Sequence, residues 1–156
     1  MADAIPKGYR TVTPYLSVDD ARAAIDFYAR AFGAEEFEKM EAPNGAIAHA
    51  SVKIGDSLVM LSDPFPMSNA KPPKEIGGTS VVIFLYVEDV DAAFQRAVDA
   101  GATATVPPED MFWGDRFAQV GDPFGHYWQI ATHVEDVSEE EIAERAKQAM
   151  SEMGMG

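Results

Sequence analysis

Cysteine is absent from this chain, which excludes a disulfide framework and any thiolate nucleophile or thiolate metal site. Positive charge is scarce. Twelve Lys and Arg stand against 26 Asp and Glu, a formal net charge of −14, and a field of that sign repels a phosphate backbone, so no nucleic-acid partner is expected. No run of 18 or more apolar residues occurs, so no membrane-spanning helix and no membrane partner are expected. The opening residues Met1-Ala2-Asp3-Ala4-Ile5-Pro6-Lys7 lack the apolar centre of a secretion signal, and the expected location is cytoplasmic. Nor is there a strand followed by a glycine-rich turn and an acidic residue, the arrangement that holds a nucleoside cofactor.

Apolar residues make up 47% of the chain and aromatic residues 10%, enough to bury a core as one compact domain of residues 1–156. The stretch from Trp113 to Ile130 concentrates the strong polar candidates, with Asp115, Arg116, His126 and Gln129 on two strand-like runs. An Asp122-Pro123-Phe124-Gly125 turn joins them, Pro123 presetting φ and Gly125 free to take a positive one.

Along the chain, Tyr9 to Val18 is β-rich but holds Pro14, which suits an edge strand or a bulge. A helix is expected from the Asp19-Asp20 caps, with Ala21, Ala24, Ile25, Tyr28, Ala31 and Phe32 at spacings of three and four and Gly33 as its stop. Strands follow near 35–41, 47–54 and 57–62, parted by Pro43-Asn44-Gly45 and Gly55-Asp56. From 64 to 78, Pro64, Pro66, Pro72, Pro73, Gly77 and Gly78 break any regular element, and a connector or lid is expected there. The order then begins again. A strand at 80–87, a helix from Asp89 to Gly101, and strands near 103–106, 116–121 and 127–132 complete a second β-α-β-β-β unit.

The two units align. An offset of 69 sets Val18 on Val87, Asp20 on Asp89, Ala24 on Ala93 and Ala31 on Ala100, and one deletion later Gly33 meets Gly101. Both helix ends and the element order agree, as duplication requires. The expected fold is therefore α+β, with two βαβββ modules (about 9–63 and 79–133) forming curved mixed sheets around the connector 64–78. A last helix, about 138–153, opens on a capping box with Ser138 at its N-cap and Glu141 at N3.

The runs VTPYLSVDDARAAIDFYARAFGAEE, AHASVKIGDSLVMLSD, FLYVEDVDAAFQRAVDAGA and FWGDRFAQVGDPFGHYWQIATH, over residues 10–134, resemble the glyoxalase/bleomycin-resistance superfamily, also called vicinal oxygen chelate, and within it the PhnB-like branch. The resemblance implies paired βαβββ modules curling around a cavity, commonly in a homodimer. It also implies a divalent metal held by one side chain from the first and one from the last strand of each module. The matching positions are Thr13, Met60, Val82 and Gln129. A valine cannot coordinate, a thioether suits soft metals, and a hydroxyl with an amide adds no negative charge. No metal cofactor is expected, although a shift of alignment would bring His49 or His126 nearby.

Without the metal, the expected cavity lining is Thr13, Tyr15, Met60, Val82, Phe84, Trp113 and Gln129, largely apolar with a few hydrogen-bonding groups, as small-molecule sites are. Tyr86 and Tyr127 also occupy strand positions able to face it. His49 is a candidate base or ligand contact, sharing by period-two alternation a face with Ile47 and Ser51; its ordinary alternative is a satisfied strand histidine. Arg116 offers a planar fork for an anionic or diketone oxygen, against an ion pair with Asp115, Asp122 or Glu109. His126 suits a turn and His133 the surface. Two functions stay open: a small-molecule-binding protein, whose acidity suits a cationic ligand, or a lyase, isomerase or dioxygenase of the same superfamily using a non-standard ligand set.

Overall fold

The computed structural model describes residues 1–155. Among these described residues, eight strands and four helices run in the order β1 (Tyr15–Ser17), α1 (Ala21–Phe32), β2 (Glu35–Glu41), β3 (Ile47–Ile54), β4 (Ser57–Ser62), α2 (Pro73–Ile76), β5 (Val82–Tyr86), α3 (Val90–Ala100), β6 (Thr103–Asp110), β7 (Asp115–Gly121), β8 (Tyr127–His133) and α4 (Glu139–Glu152). They build two mixed four-stranded sheets of the same order, β1-β4-β3-β2 and β5-β8-β7-β6, and neither closes into a barrel.

Duplication extends to the register. The parallel pair Tyr15↔Met60 recurs 69 positions on as Phe84↔Gln129. The antiparallel pair Glu38↔Ser51 recurs 68 on as Val106↔Gln119, and a bulge falls at the matching place in each outer strand, between Glu36 and Glu38 and between Ala104 and Val106. Helix starts repeat too. Asp20 and Asp89 cap α1 and α3 by accepting from the amides of Ala23 and Ala92, satisfying amides the helix cannot. The amides of Ala21 and Val90 donate to Asp63 and Thr132, again 69 residues apart.

The helical faces of both sheets share one core. Tyr28 and Phe32 of α1 lie against Trp128 of β8, at centroid separations of 5.1 and 4.5 Å, and Phe124 packs on Tyr28 and Phe27. At its centre the buried Asp122 carboxylate accepts from Tyr28 OH at 2.6 Å and Trp128 Nε1 at 2.9 Å, and from the amides of Phe124 and His126. Burial, and then that neighbouring charge, pushes the Tyr28 phenol well above its usual range. His126 bridges the modules as well, its Nε2 lying 2.9 Å from the Ser17 carbonyl. The helix ends are tied crosswise: Arg96 donates to the carbonyls of Arg30 and Ala29, and Arg30 donates to that of Ala100.

Several expectations need correction. The first strand covers only Tyr15–Ser17, with the Pro14 carbonyl still accepting from the Met60 amide; residues 9–13 leave the ladder, and the Tyr9 phenol is bonded to Glu38 and Ser51 on the open face of the first sheet. The connector contains the one-turn α2, whose preceding Pro72 and first residue Pro73 are buried against the rest. Gly125, at φ 90°, allows this approach, since a Cβ there would stand 2.8 Å from Pro73. Strand β6 runs past Val106 to Asp110 through Pro107 and Pro108, tolerated because it is an outer strand with a register shift at that place. Ile47 does not share the face of His49. It is in the core with Ala50 and Val52, the irregularity between Met40 and Glu41 having broken the alternation.

Candidate functional site

Each sheet turns one face to the helices and leaves the other open. On the second sheet the open face carries Val82, Phe84 and Tyr86 from β5, Tyr127, Gln129 and His133 from β8, and Asp115, Phe117 and Gln119 from β7, as period-two alternation and the register dictate. Phe84 lies 5.0 Å from Tyr86 and 6.1 Å from Phe117, which stands 6.1 Å from Trp113. These four rings make a continuous aromatic wall. Gln129 donates to Gln119 at 2.9 Å, and Gln119 donates on to Thr105.

At one end of the wall Asp115 is buried with three partners. Trp113 Nε1 donates to it at 3.1 Å and Tyr86 OH at 2.8 Å, and His133 Nδ1 lies 2.8 Å away. Burial alone would raise the Asp115 carboxyl, but His133, Tyr86 and Trp113 outweigh it and hold the group below the usual carboxylate range. Contact with Asp115, then Asp136, raises His133 above its ordinary value. His133 lies at the surface as expected, and it also holds Asp115; the alternation Gln129, Ala131, His133 is the signal that places it on this face. Gly114, at φ 100°, lets the loop close on the Glu135 carbonyl, which a Cβ would meet at 2.2 Å.

On the first sheet Tyr15, Met60, His49, Ser51 and Glu38 lie on one open face, and Thr13, before the strand, lines a groove there with Glu38 and Met60. The His49 ring has Nδ1 3.4 Å from Tyr15 OH and Nε2 3.3 Å from Glu38 Oε1. Glu38 accepts as well from Tyr9 and Ser51, and these hydroxyls, Tyr9 first, hold its carboxyl below its usual range. The facing edges of the two sheets are separate; between them a groove of about 690 Å³ brings Thr13, Val12 and Arg10 together with Phe84 and Tyr86.

The expected lining is thus divided. Thr13, Tyr15, His49 and Met60 lie on or beside one sheet, Val82, Phe84, Trp113 and Gln129 on or beside the other, with Thr13 and Phe84 meeting in the groove. Arg116 belongs to neither. It points to the helical side, opposite Thr132, and donates to Asp91 of α3 at 2.7 and 3.0 Å and to Asp110 at 3.1 Å. These two carboxylates, not Asp115, Asp122 or Glu109, are its partners, and the bonds to Asp91 and then Asp110 raise the guanidinium further.

The residues at the metal positions do not fit a divalent ion. Val82 has no donor, Met60 offers a thioether, and Gln129, whose amide nitrogen donates to Gln119, has only a neutral carbonyl oxygen to coordinate with. Among the described residues no three His, Asp or Glu side chains come together in a way that could hold one, and none of the helices is long and apolar enough to cross a membrane.

Two mixed sheets of identical order, each followed through a βαβββ path and open on one face, define the class of paired-module proteins to which this chain conforms. The chain belongs to the Glyoxalase/Bleomycin resistance protein/Dioxygenase superfamily, whose model matches residues 10–130. It is 45% identical to the uncharacterized protein Mb0911c of Mycobacterium bovis over 148 residues, covering 93% of this chain and 95% of that one. It is 31% identical to protein YjdN of Escherichia coli, covering 76% and 92%. Among solved structures, TioX from Micromonospora sp. ML1 superposes with a TM-score of 0.64 at 30% identity, covering 80% of this chain and 99% of that one.

Proposed function

We propose that this chain is a small-molecule-binding member of the superfamily, of the PhnB-like branch, that works without the divalent metal. The observation carrying this reading is the second sheet's open face, where an aromatic wall of Phe84, Tyr86, Trp113 and Phe117 ends on a buried, ionised carboxylate and no metal-binding set accompanies it. Flat aromatic rings give a ligand area and cation–π attraction, and the chain's net charge of −14 favours a cationic one. The exposed Tyr15, Val82, Phe84, Tyr86 and Tyr127 on the two open faces support a homodimer, in which a second copy would help to enclose the ligand. The metal-dependent lyase, isomerase or dioxygenase reading has Val82 and Met60 against it.

Trp113 supplies the test. Trp128 is fully buried, whereas Trp113 is partly exposed beside the wall, so a ligand on this face perturbs Trp113 emission selectively. Titration with metal-free bleomycin, a cationic glycopeptide, is expected to shift that emission with saturation, and Phe84→Ala with Phe117→Ala to weaken binding at least tenfold. Binding of equal affinity in the double variant would refute the assignment of this face.

A further inference from the structure

The first sheet's open face differs from the second in being partly covered, around Glu38 and Met60, by the chain itself. Residues 4–13 run across it, and the Tyr9 phenol is seated in a defined site. Its hydroxyl donates to Glu38 and lies 2.8 Å from Ser51 Oγ, which itself donates to Glu38 at 3.0 Å. Its ring meets Phe37 edge to face at 6.0 Å. Phe37 is the extra residue of the β2 bulge, and such a bulge re-aims a side chain; here both Phe37 and its neighbour Glu38 reach the arm. Around this seat lies a groove of about 520 Å³ lined by Ile5, Pro6, Thr13, Glu38 and Met60.

This arrangement is not a relic of the duplication. The positions that correspond to Glu38 and Ser51 in the second module are Val106, which has no acceptor, and Gln119, whose amide is taken up by Gln129 and Thr105. The first module alone pairs a carboxylate acceptor with a fully buried serine hydroxyl and an aromatic edge. His49 holds the carboxylate from its other side.

We propose that the first module's open face is a binding site for small phenols, filled in the resting protein by Tyr9 as an internal ligand. The seated side chain displays the chemistry the site takes: an aromatic ring bearing one hydroxyl that donates to Glu38. Glu38 stays an anion because Tyr9 and Ser51 hold it there, so the site accepts a hydrogen bond and rejects a ring that has none to give. Tyr9 is tethered six residues before β1, and a short tether presents it at an effective concentration in the millimolar range. An external phenol must therefore displace the arm, and its apparent affinity is reduced by the fraction of sites the arm occupies. This site is independent of the aromatic wall on the second sheet.

The probe is 4-methylphenol, the side chain of tyrosine, titrated into the full-length protein and followed by backbone amide chemical shifts. Binding to Tyr9→Ala is expected to be at least tenfold tighter than to the parent chain, with shifts at Phe37, Glu38 and Ser51 and none at the Trp113 indole. Tyr9→Phe, which leaves the ring in the groove but removes the donor, is expected to fall between the two, and it serves if Tyr9→Ala fails to fold. Glu38→Gln in either background, which keeps an acceptor oxygen but not its charge, should weaken the binding, and 4-methylanisole, which has no donor, should not bind. Equal affinity with and without the Tyr9 hydroxyl, insensitivity to Glu38→Gln, or shifts confined to the second sheet would overturn the proposal. Because the wall is monitored at Trp113, failure here leaves that reading standing, and failure there leaves this one.

Discussion

Replacing Asp122 with alanine would strand two buried donors, the Tyr28 hydroxyl and the Trp128 indole N–H, and two turn amides besides. A buried donor left without a partner costs roughly 1–3 kcal/mol, so Asp122→Ala is expected to lower stability by about 3 kcal/mol or more, read from the urea midpoint at unchanged slope. A loss under about 1 kcal/mol would show that the carboxylate does not join the modules as described. Arg116 is the contrasting case. Its charge and planar fork suggested a substrate clamp, yet on β7 it alternates with Asp115 and so faces the helices, where Asp91 and Asp110 bind it. Residue type states what a side chain can do, while the parity of its strand position decides where it does it.

At the scale of elements, α4 is fastened to the second module through the segment that leaves β8. His133 bridges Asp115 and Asp136, and Arg145 of α4 donates to Glu135 and to the Phe112 carbonyl. The folded His133 titrates above its ordinary value of about 6.5. Its bridge therefore contributes fully below that ordinary value and is lost as pH rises through the raised folded one. Amide exchange over residues 134–152, corrected for intrinsic rate, is expected to quicken across that rise, and His133→Ala to abolish the dependence. Protection that ignores pH, or a dependence surviving in His133→Ala, would contradict the anchoring.

Most elements were legible in the sequence, since helix caps, glycine stops and apolar spacing are local signals. Strands β2, β3 and β4 fall where alternation and turn residues put them. What escaped were events decided elsewhere in the chain. Residues 9–14 read as strand because their composition is β-rich, but Glu38 and Ser51 draw Tyr9 off the ladder. Ile47 left the face of His49 because of a bulge, which no alternation count reveals. The site was half legible: Tyr15, Phe84, Tyr86 and Tyr127 do occupy open faces, whereas His133 with Asp115 depends on register between strands 18 residues apart.

For the whole molecule, duplication supplies two open faces, and the side chains have since diverged. One sheet carries an aromatic wall ending in Asp115, the other a hydroxyl and carboxylate cluster under the chain's own arm. At the positions where the superfamily's metal would be held stand Thr13, Met60, Val82 and Gln129, so the recognition proposed for this protein rests on aromatic surface, hydrogen bonds and charge. That account is tested most directly by titrating metal-free bleomycin into chelator-treated protein while following Trp113 emission. The predicted result is a saturable change whose midpoint is the same before and after metal removal and does not move for protein reloaded with zinc, nickel, manganese or ferrous iron and freed of excess ion before the glycopeptide, itself a chelator, is added. Binding that disappears with the metal and returns with one of these ions would contradict it.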